Sequence, residues 1–299
     1  MSVGSPEQLE VEVILEAHAA VAEGPTWDER TQRLIWVDIM ANTVHAYDPA
    51  HDRDQATDVG QPVGAAGLRE GGGLVLALRD GFALLDPDFG DLRLVAPVEA
   101  EVSTNRMNDG KCGPDGRFWA GTMAYQPELV AGQGALYRLD PAGYRVTRVV
   151  GDITLSNGLD WSPDQRLLYY IDSPTQGVDA FAFDAGSGTL DQRRRIVSIP
   201  KDVGLPDGMT VDAEGGLWVA LHGGGAVHRY TPDGQLDRII RLPVQHVTCC
   251  AFGGPEYADL YITSMTYGLA DKIQDQPLAG ALFRCRPGVK GRSPFRFGG

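Results

Sequence analysis

Six short apolar segments recur along the chain: LIWVD (34–38), LVLAL (74–78), RFWAG (117–121), LYYID (168–172), LWVAL (217–221) and LYITS (260–264). Their central large residues are Trp36, Leu76, Trp119, Tyr170, Trp218 and Tyr261, separated by steps of 40, 43, 51, 48 and 43 residues. A turn such as DERTQR, GPDG, SPDQ or DAEG precedes most of them, and a second strand such as VHAYD, FALLD or ALYRL follows. Strands punctuated by Gly, Pro and Asp, with no long stripe of 3.6-residue period, argue for an all-β chain. Repeats of this length built from strands mark propeller blades. The expected fold is therefore a six-bladed β-propeller with a central metal site, residues 1–299 forming one domain; a two-sheet sandwich or barrel is the alternative. The strand VEVILEA (11–17) precedes the first full unit. It is expected to complete the last blade and to leave no open sheet edge.

Composition narrows the partners. Lys and Arg number 26 against 40 Asp and Glu, a formal net charge of −14. Such a surface repels phosphate backbones and anionic lipid, so neither nucleic acid nor membrane is an expected partner, and no obligate protein partner is expected. The first residues lack a basic stretch followed by an apolar core, so no secretory leader is read there. No apolar run approaches the roughly 20 residues that span a bilayer. Cys112, Cys249, Cys250 and Cys285 show no C-x-x-C spacing. They are expected to be reduced, buried thiols in a cytoplasmic protein.

Each repeat also places a residue at one shared position. Four residues before the end of the first strand of four units stand Glu23, Asn108, Asn157 and Asp207, in the contexts EGPTW, NDGKC, NGLDW and DGMTV. The other two units place Gly64 and Thr248 near that position. A lone Asn-Gly or Asp-Gly is a turn signal. Four polar residues in one register point instead to side chains converging on the shaft of a propeller. Glu23, Asn157 and Asp207 together make a hard, all-oxygen donor set suited to one divalent cation, with Ca²⁺ expected and Mg²⁺, Mn²⁺ or Zn²⁺ as alternatives. Arg106, two residues before Asn108, lies on the same strand face, where a guanidinium suits hydroxyl or carboxylate oxygens. Its bland alternative is a structural neutraliser of Glu23 or Asp207. The six histidines show no H-x-x-x-H spacing and no adjacent pair. They are expected to be surface or strand residues, and the lack of a paired histidine counts against a paraoxonase-type mechanism.

These residues carry a resemblance along nearly the whole chain. The motifs EGPTWD, NRMNDGKCGPDGRFWAGTM, LSNGLDWSPDQRLLYYIDS, LPDGMTVDAEGGLWVAL, CCAFGG and GVKGRSPFRFGG, in this order, resemble the gluconolactonase/regucalcin family. That family is also known as senescence marker protein and luciferin-regenerating enzyme. The resemblance implies a six-bladed propeller with one divalent metal in its channel, held by Glu23, Asn157 and Asp207. It also implies Asp207 as general base and Arg106 and Asn108 as substrate contacts. Where some animal members place a substrate-contacting glutamate after GTMA, this chain has Ala124, Tyr125 and Gln126, so Gln126 is the expected contact there. Residues 124–133 are expected to form a loop over the channel mouth.

The function these features imply is metal-dependent hydrolysis of a sugar lactone to its aldonic acid, with the lactone as the small-molecule partner. Two alternatives use the same ring. One is a phosphotriesterase-like hydrolase, and the other is a non-enzymatic calcium-binding regulator.

Overall fold

The innermost strands of the molecule are almost wholly buried, and each begins a sheet that runs outward from a common axis. A computed structural model describes residues 9–125 and 128–299. After a lone leading strand, β1 (Glu12–Leu15), come β2 (Ala22–Asp28), β3 (Arg33–Asp38), β4 (Thr43–Asp48) and β5 (Arg53–Asp58), which form blade I. Blade II is β6 (Val63–Leu68), β7 (Leu74–Leu78), β8 (Gly81–Leu85) and β9 (Leu92–Pro97). Blade III is β10 (Asn105–Cys112), β11 (Phe118–Ala124), β12 (Gly134–Leu139) and β13 (Val146–Ile153). Blade IV is β14 (Ser156–Trp161), β15 (Leu167–Asp172), β16 (Gly177–Asp184) and β17 (Thr189–Ser198). Blade V is β18 (Leu205–Val211), β19 (Leu217–His222), β20 (Ala226–Tyr230) and β21 (Leu236–Arg241). Blade VI is β22 (Val247–Gly253), β23 (Asp259–Ser264) and β24 (Leu282–Cys285), completed by β1. The chain is a six-bladed β-propeller.

The six apolar repeat segments are the second strands of the blades, β3, β7, β11, β15, β19 and β23. Their central residues Trp36, Leu76, Trp119, Tyr170, Trp218 and Tyr261 are at most 1% exposed. Six apolar clusters fill the six seams between neighbouring blades, so the core is a ring of interfaces around the axis. Aromatic contacts cross several of these seams. Trp27 stacks on Tyr261 at 5.7 Å between blades I and VI, and Trp119 meets Trp161 edge to face at 6.1 Å between blades III and IV. Truncating one such buried tryptophan to alanine costs about 3–5 kcal/mol, which sets the scale of what each seam contributes. All four cysteines are free and buried, as expected of small hydrophobes. Among the described residues no helix is long and apolar enough to cross a membrane.

The leading strand joins blade VI as expected, pairing Glu12 with Arg284 and Val13 with Phe283 on β24. The expectation of no open sheet edge needs correction. A sheet that runs radially must end in an outer strand with one unpaired side, and β5, β9, β13, β17 and β21 are such strands, as is β1. Charge blunts them. On β17, for example, Arg193 and Arg195 reach back to Asp179 on β16 at 2.7 and 2.5 Å. The outer strands are polar and mostly exposed, so their apolar pattern is weak and the sequence signal did not single them out.

Because β1 closes the ring from a sequence-distant position, its loss should act on the whole fold. Ile14 and Leu15 pack against the cluster between blades VI and I. Deleting residues 1–15 is expected to lower Tm by about 5–10 °C, equivalent to roughly 3 kcal/mol. Differential scanning calorimetry checks this, and an unchanged Tm would mean the ring is closed without β1.

Candidate active site

Inner strands of a propeller turn their unpaired hydrogen-bonding edge, not a side-chain face, to the axis. A regular pleat sends alternate side chains to the two faces of the sheet, here toward the neighbouring blades. All six inner strands break that pleat at one place. The register shifts by one residue between Glu23 and Thr26, Val63 and Ala65, Met107 and Gly110, Ser156 and Leu159, Pro206 and Met209, and Val247 and Cys250. Such a bulge re-aims a side chain. The shared repeat position falls in or immediately before it in every blade.

Four of those six positions send a polar side chain into one cavity. Glu23, Asn108, Asn157 and Asp207 line it, together with Arg106, and its volume is about 610 Å³. The other two do not contribute. Thr248 turns its hydroxyl to the Ala22 carbonyl at 2.6 Å and to Thr263 at 2.8 Å. Gly64 has no side chain, and an added Cβ would lie 2.3 Å from the carbonyl oxygen of Asn108.

Hydrogen bonds fix the polar floor. Arg106 Nη1 donates to Asn108 Oδ1 at 2.6 Å and to the Met107 carbonyl at 2.9 Å. Asn108 Nδ2 donates to Asn157 Oδ1 at 3.0 Å and to the Ser156 carbonyl at 2.7 Å. Asn157 Nδ2 in turn donates to Ser173 Oγ at 2.8 Å. This chain of donors orients Asn157 with its amide oxygen as acceptor, and that oxygen has a second lone pair for another partner.

Glu23 and Asp207 are buried, yet neither has a salt-bridge partner within 4.0 Å among the described residues. Burial, then the charges of Asp207 and Asp109, hold the Glu23 carboxyl well above the usual range. Burial, then the charge of Asp109, does the same to Asp207 against the pull of Arg106. Burial lowers the Arg106 guanidinium to about 10, opposed by Glu23. Two like-charged carboxylates and a carboxamide oxygen, without a matching counter-charge, fit a hard divalent cation. Among the described residues no three His, Cys, Asp or Glu side chains gather as a metal-holding group, so any ion here would need the carboxamide as its third protein donor.

Several residues of the site were not singled out from the sequence. Asp109, beside Asn108 in the bulge, is pushed up to about 6 by burial, with Lys111 pulling the other way. Lys111 Nζ reaches Asp160 at 3.2 Å and the Met209 carbonyl at 2.9 Å, in a smaller cavity of about 60 Å³ that Asp109 also lines. Tyr125 lies under the Arg106 guanidinium at 5.5 Å and lines the large cavity, as does Glu128. Of the expected 124–133 loop, Ala124, which ends β11, Tyr125, Glu128 and Leu129 reach the cavity; Gln126 and Pro127 lie outside the described residues.

The expectation of surface or strand histidines holds for five of the six, His18 being exposed and His222 lying at the end of β19. His45 and His228 lie on strands β4 and β20, and His51 is exposed. His222 and His246, however, stack at 4.2 Å on the cavity wall. They are 24 residues apart and belong to different blades, so no spacing in the sequence announces the pair.

The chain is similar to known proteins along nearly its whole length. Residues 21–266 match the SMP-30/Gluconolactonase/LRE-like region. Regucalcin of Xenopus laevis is 38% identical over 297 residues, covering 97% of this chain and 99% of its own. A solved regucalcin from Agrobacterium tumefaciens, described as calcium-binding, superposes with a TM-score of 0.91 at 30% identity, covering 97% of this chain and 98% of its own. A gluconolactonase from Xanthomonas campestris superposes at 0.75 with 26% identity, covering 93% and 89%.

The close approach at Gly64 yields a direct test. Gly64→Ala forces β6 away from the Asn108 backbone and should destabilise the protein by about 1–3 kcal/mol. Gly71, with nothing within 4 Å of an added Cβ, is the control. Thermal unfolding of both variants decides it; equal Tm values would mean that the strands have room to separate.

Proposed function

We propose, from the premise that the chain belongs to the SMP-30/gluconolactonase/LRE-like family, that it is a metal-dependent lactonase opening a sugar lactone to its aldonic acid. The observation that carries this reading is the pair of buried carboxylates without a counter-charge, Glu23 and Asp207, beside Arg106 on the floor of an open cavity. A purely structural arginine would pair with one of those carboxylates, and Arg106 bonds instead to Asn108 and the Met107 carbonyl.

Glu23, Asn157 and Asp207 would hold the ion, with Ca²⁺ favoured by the calcium-binding description of the Agrobacterium regucalcin. When bound, such an ion supplies Lewis acidity toward the lactone carbonyl. Asp207 takes a proton from the attacking water, whose oxygen forms a bond to the carbonyl carbon; general-base help of this kind is worth about 10²–10⁴-fold. The ring C–O bond then breaks, and the ring oxygen leaves as a hydroxyl carrying the proton that Asp207 held. Arg106 donates to substrate oxygens, and its charge also suits the carboxylate product. Asn108 keeps Arg106 and Asn157 in register through its three hydrogen bonds. Gln126 is retained as a proposed sugar contact.

A lactone panel followed by pH-stat, run on chelated protein and on protein reloaded with Ca²⁺, Zn²⁺, Mn²⁺ or Mg²⁺, tests the reading. Chelation should abolish turnover and lower Tm, because an ion that binds only the folded state stabilises it. Full turnover in protein that elemental analysis finds metal-free would sink the mechanism. Activity on phosphotriesters but on no lactone would favour the phosphotriesterase alternative, and tight calcium binding without any turnover the regulator.

The roles of two ligands can be separated by substitution. At saturating metal, Asp207→Asn should reduce kcat by at least tenfold more than Asn157→Ser, since only Asp207 moves a proton. Equal losses, both rescued by added metal, would leave Asp207 as a ligand alone.

A further inference from the structure

The repeat supplies an internal control for the stacked histidines. At three seams on the cavity side, the residue next after the inner-strand partner meets the residue that precedes the following blade. These bridges are Val21 with Met265, Met123 with Leu155, and His222 with His246. All six residues line the large cavity. Their positions are equivalent: Thr122, Leu221 and Ser264 pair with the residues just before Asn108, Asp207 and Thr248, and Met123, His222 and Met265 come next. Two seams therefore close with an apolar pair, and the third, between blades V and VI, closes with two imidazoles.

An apolar pair is sufficient to close such a seam, so packing does not account for the histidines. Nor do they bond to each other in place of it; their rings lie face to face, with an interplanar angle of 27°. Nε2 of His222 is buried with no hydrogen-bond partner among the described residues. His246 Nδ1 stands 3.2 Å from the Tyr267 carbonyl, which only an N–H can satisfy. That contact assigns the Nδ1–H tautomer and leaves Nε2 as an acceptor. Burial, with the partner ring adding to it, lowers His222 to about 4, and burial lowers His246, so both rings are neutral near pH 7. A neutral imidazole offers one donor and one acceptor, a pattern that matches hydroxyl groups and gives no special preference to a charged ligand. Blade VI lies across the shaft from blade III, which carries Arg106 and Asn108, so a ligand centred on the floor meets the histidines at its far end.

We propose that His222 and His246 form a sugar-reading wall, which hydrogen-bonds the distal hydroxyls of the substrate and sets the preference for polyhydroxylated over plain lactones. The proposal rests on the lactonase reading for its substrate class. It also predicts recognition of polyols that cannot be hydrolysed at all.

The seam between blades III and IV shows how to remove the wall without removing the contact. The double variant His222→Met with His246→Leu reproduces the Met123–Leu155 pair, which this fold already accommodates. Wild type and variant are compared on galactono-1,4-lactone and on γ-butyrolactone, which lacks hydroxyls, with metal affinity by calorimetry. The ratio of kcat/KM for the two substrates is expected to fall about tenfold in the variant, the effect of one or two neutral hydrogen bonds. A ratio within twofold of wild type, or a collapse of metal affinity, overturns the proposal. A second measurement does not depend on turnover. Imidazole signals of His222 and His246 in the metal-loaded wild type are followed by NMR as sorbitol is added, with the double variant identifying them. Should no lactone be hydrolysed, a saturable shift of those signals upholds the wall while the lactonase reading falls. Absence of a shift then overturns the wall as well.

Discussion

An inner propeller strand presents its free backbone edge to the axis, and that constraint governs everything at the cavity floor. Side chains on a regular strand would enter the seams, where six apolar clusters already fill the space. One extra residue per strand solves the problem. In blade III, Asn108 and Asp109 stand opposite the single residue Gly121; in blade IV, Asn157 and Gly158 stand opposite Ile171. The cost is local crowding, met by glycine where backbone must approach closely. Gly121 is one case, since a Cβ there would lie 1.8 Å from Ser156 Oγ, and that serine is itself held by Tyr170. The same irregularity that aims the side chains therefore also dictates which neighbours must be small.

Much of this was legible in the sequence because a repeat multiplies weak signals. The second strand of each blade is buried and largely apolar, so its period and composition stood out. Glu23, Asn108, Asn157 and Asp207 could be aligned by counting from the turns, even though the bulge that gives their register its meaning is invisible in the letters. Outer strands such as β5, RDQATD, were lost because a mostly exposed strand needs no apolar pattern. Asp109 was overlooked for a different reason. In the string NDGK it reads as turn chemistry, and only the three-dimensional shift in register separates its role from that of Asn108. The pairing of His222 with His246 depends on two blades meeting, and sequence spacing carries no trace of it.

Below the floor the shaft continues, and the contrast between its two levels explains why one level would attract an ion. Lys111 stands 3.2 Å from Asp160, whose carboxylate also accepts from Thr210 Oγ1 at 3.1 Å and from the Val211 and Trp161 amides at 2.9 and 2.7 Å. Those contacts hold Asp160 below the usual carboxylate range despite burial, with Lys111 the largest stabilising charge. A buried carboxylate so surrounded is satisfied within the protein. Among the described residues Glu23, one level up, accepts only the adjacent Gly24 amide at 3.0 Å, and neither it nor Asp207 has a cation in contact. Leaving a buried carboxylate uncompensated costs several kcal/mol, so the fold tolerates at Glu23 and Asp207 a condition that it relieves at Asp160 in the lower cavity. The chain had an ammonium available for the shaft and uses it on the lower level. A positive charge added from solvent therefore gains most at the upper level, beside the cavity that opens to substrate.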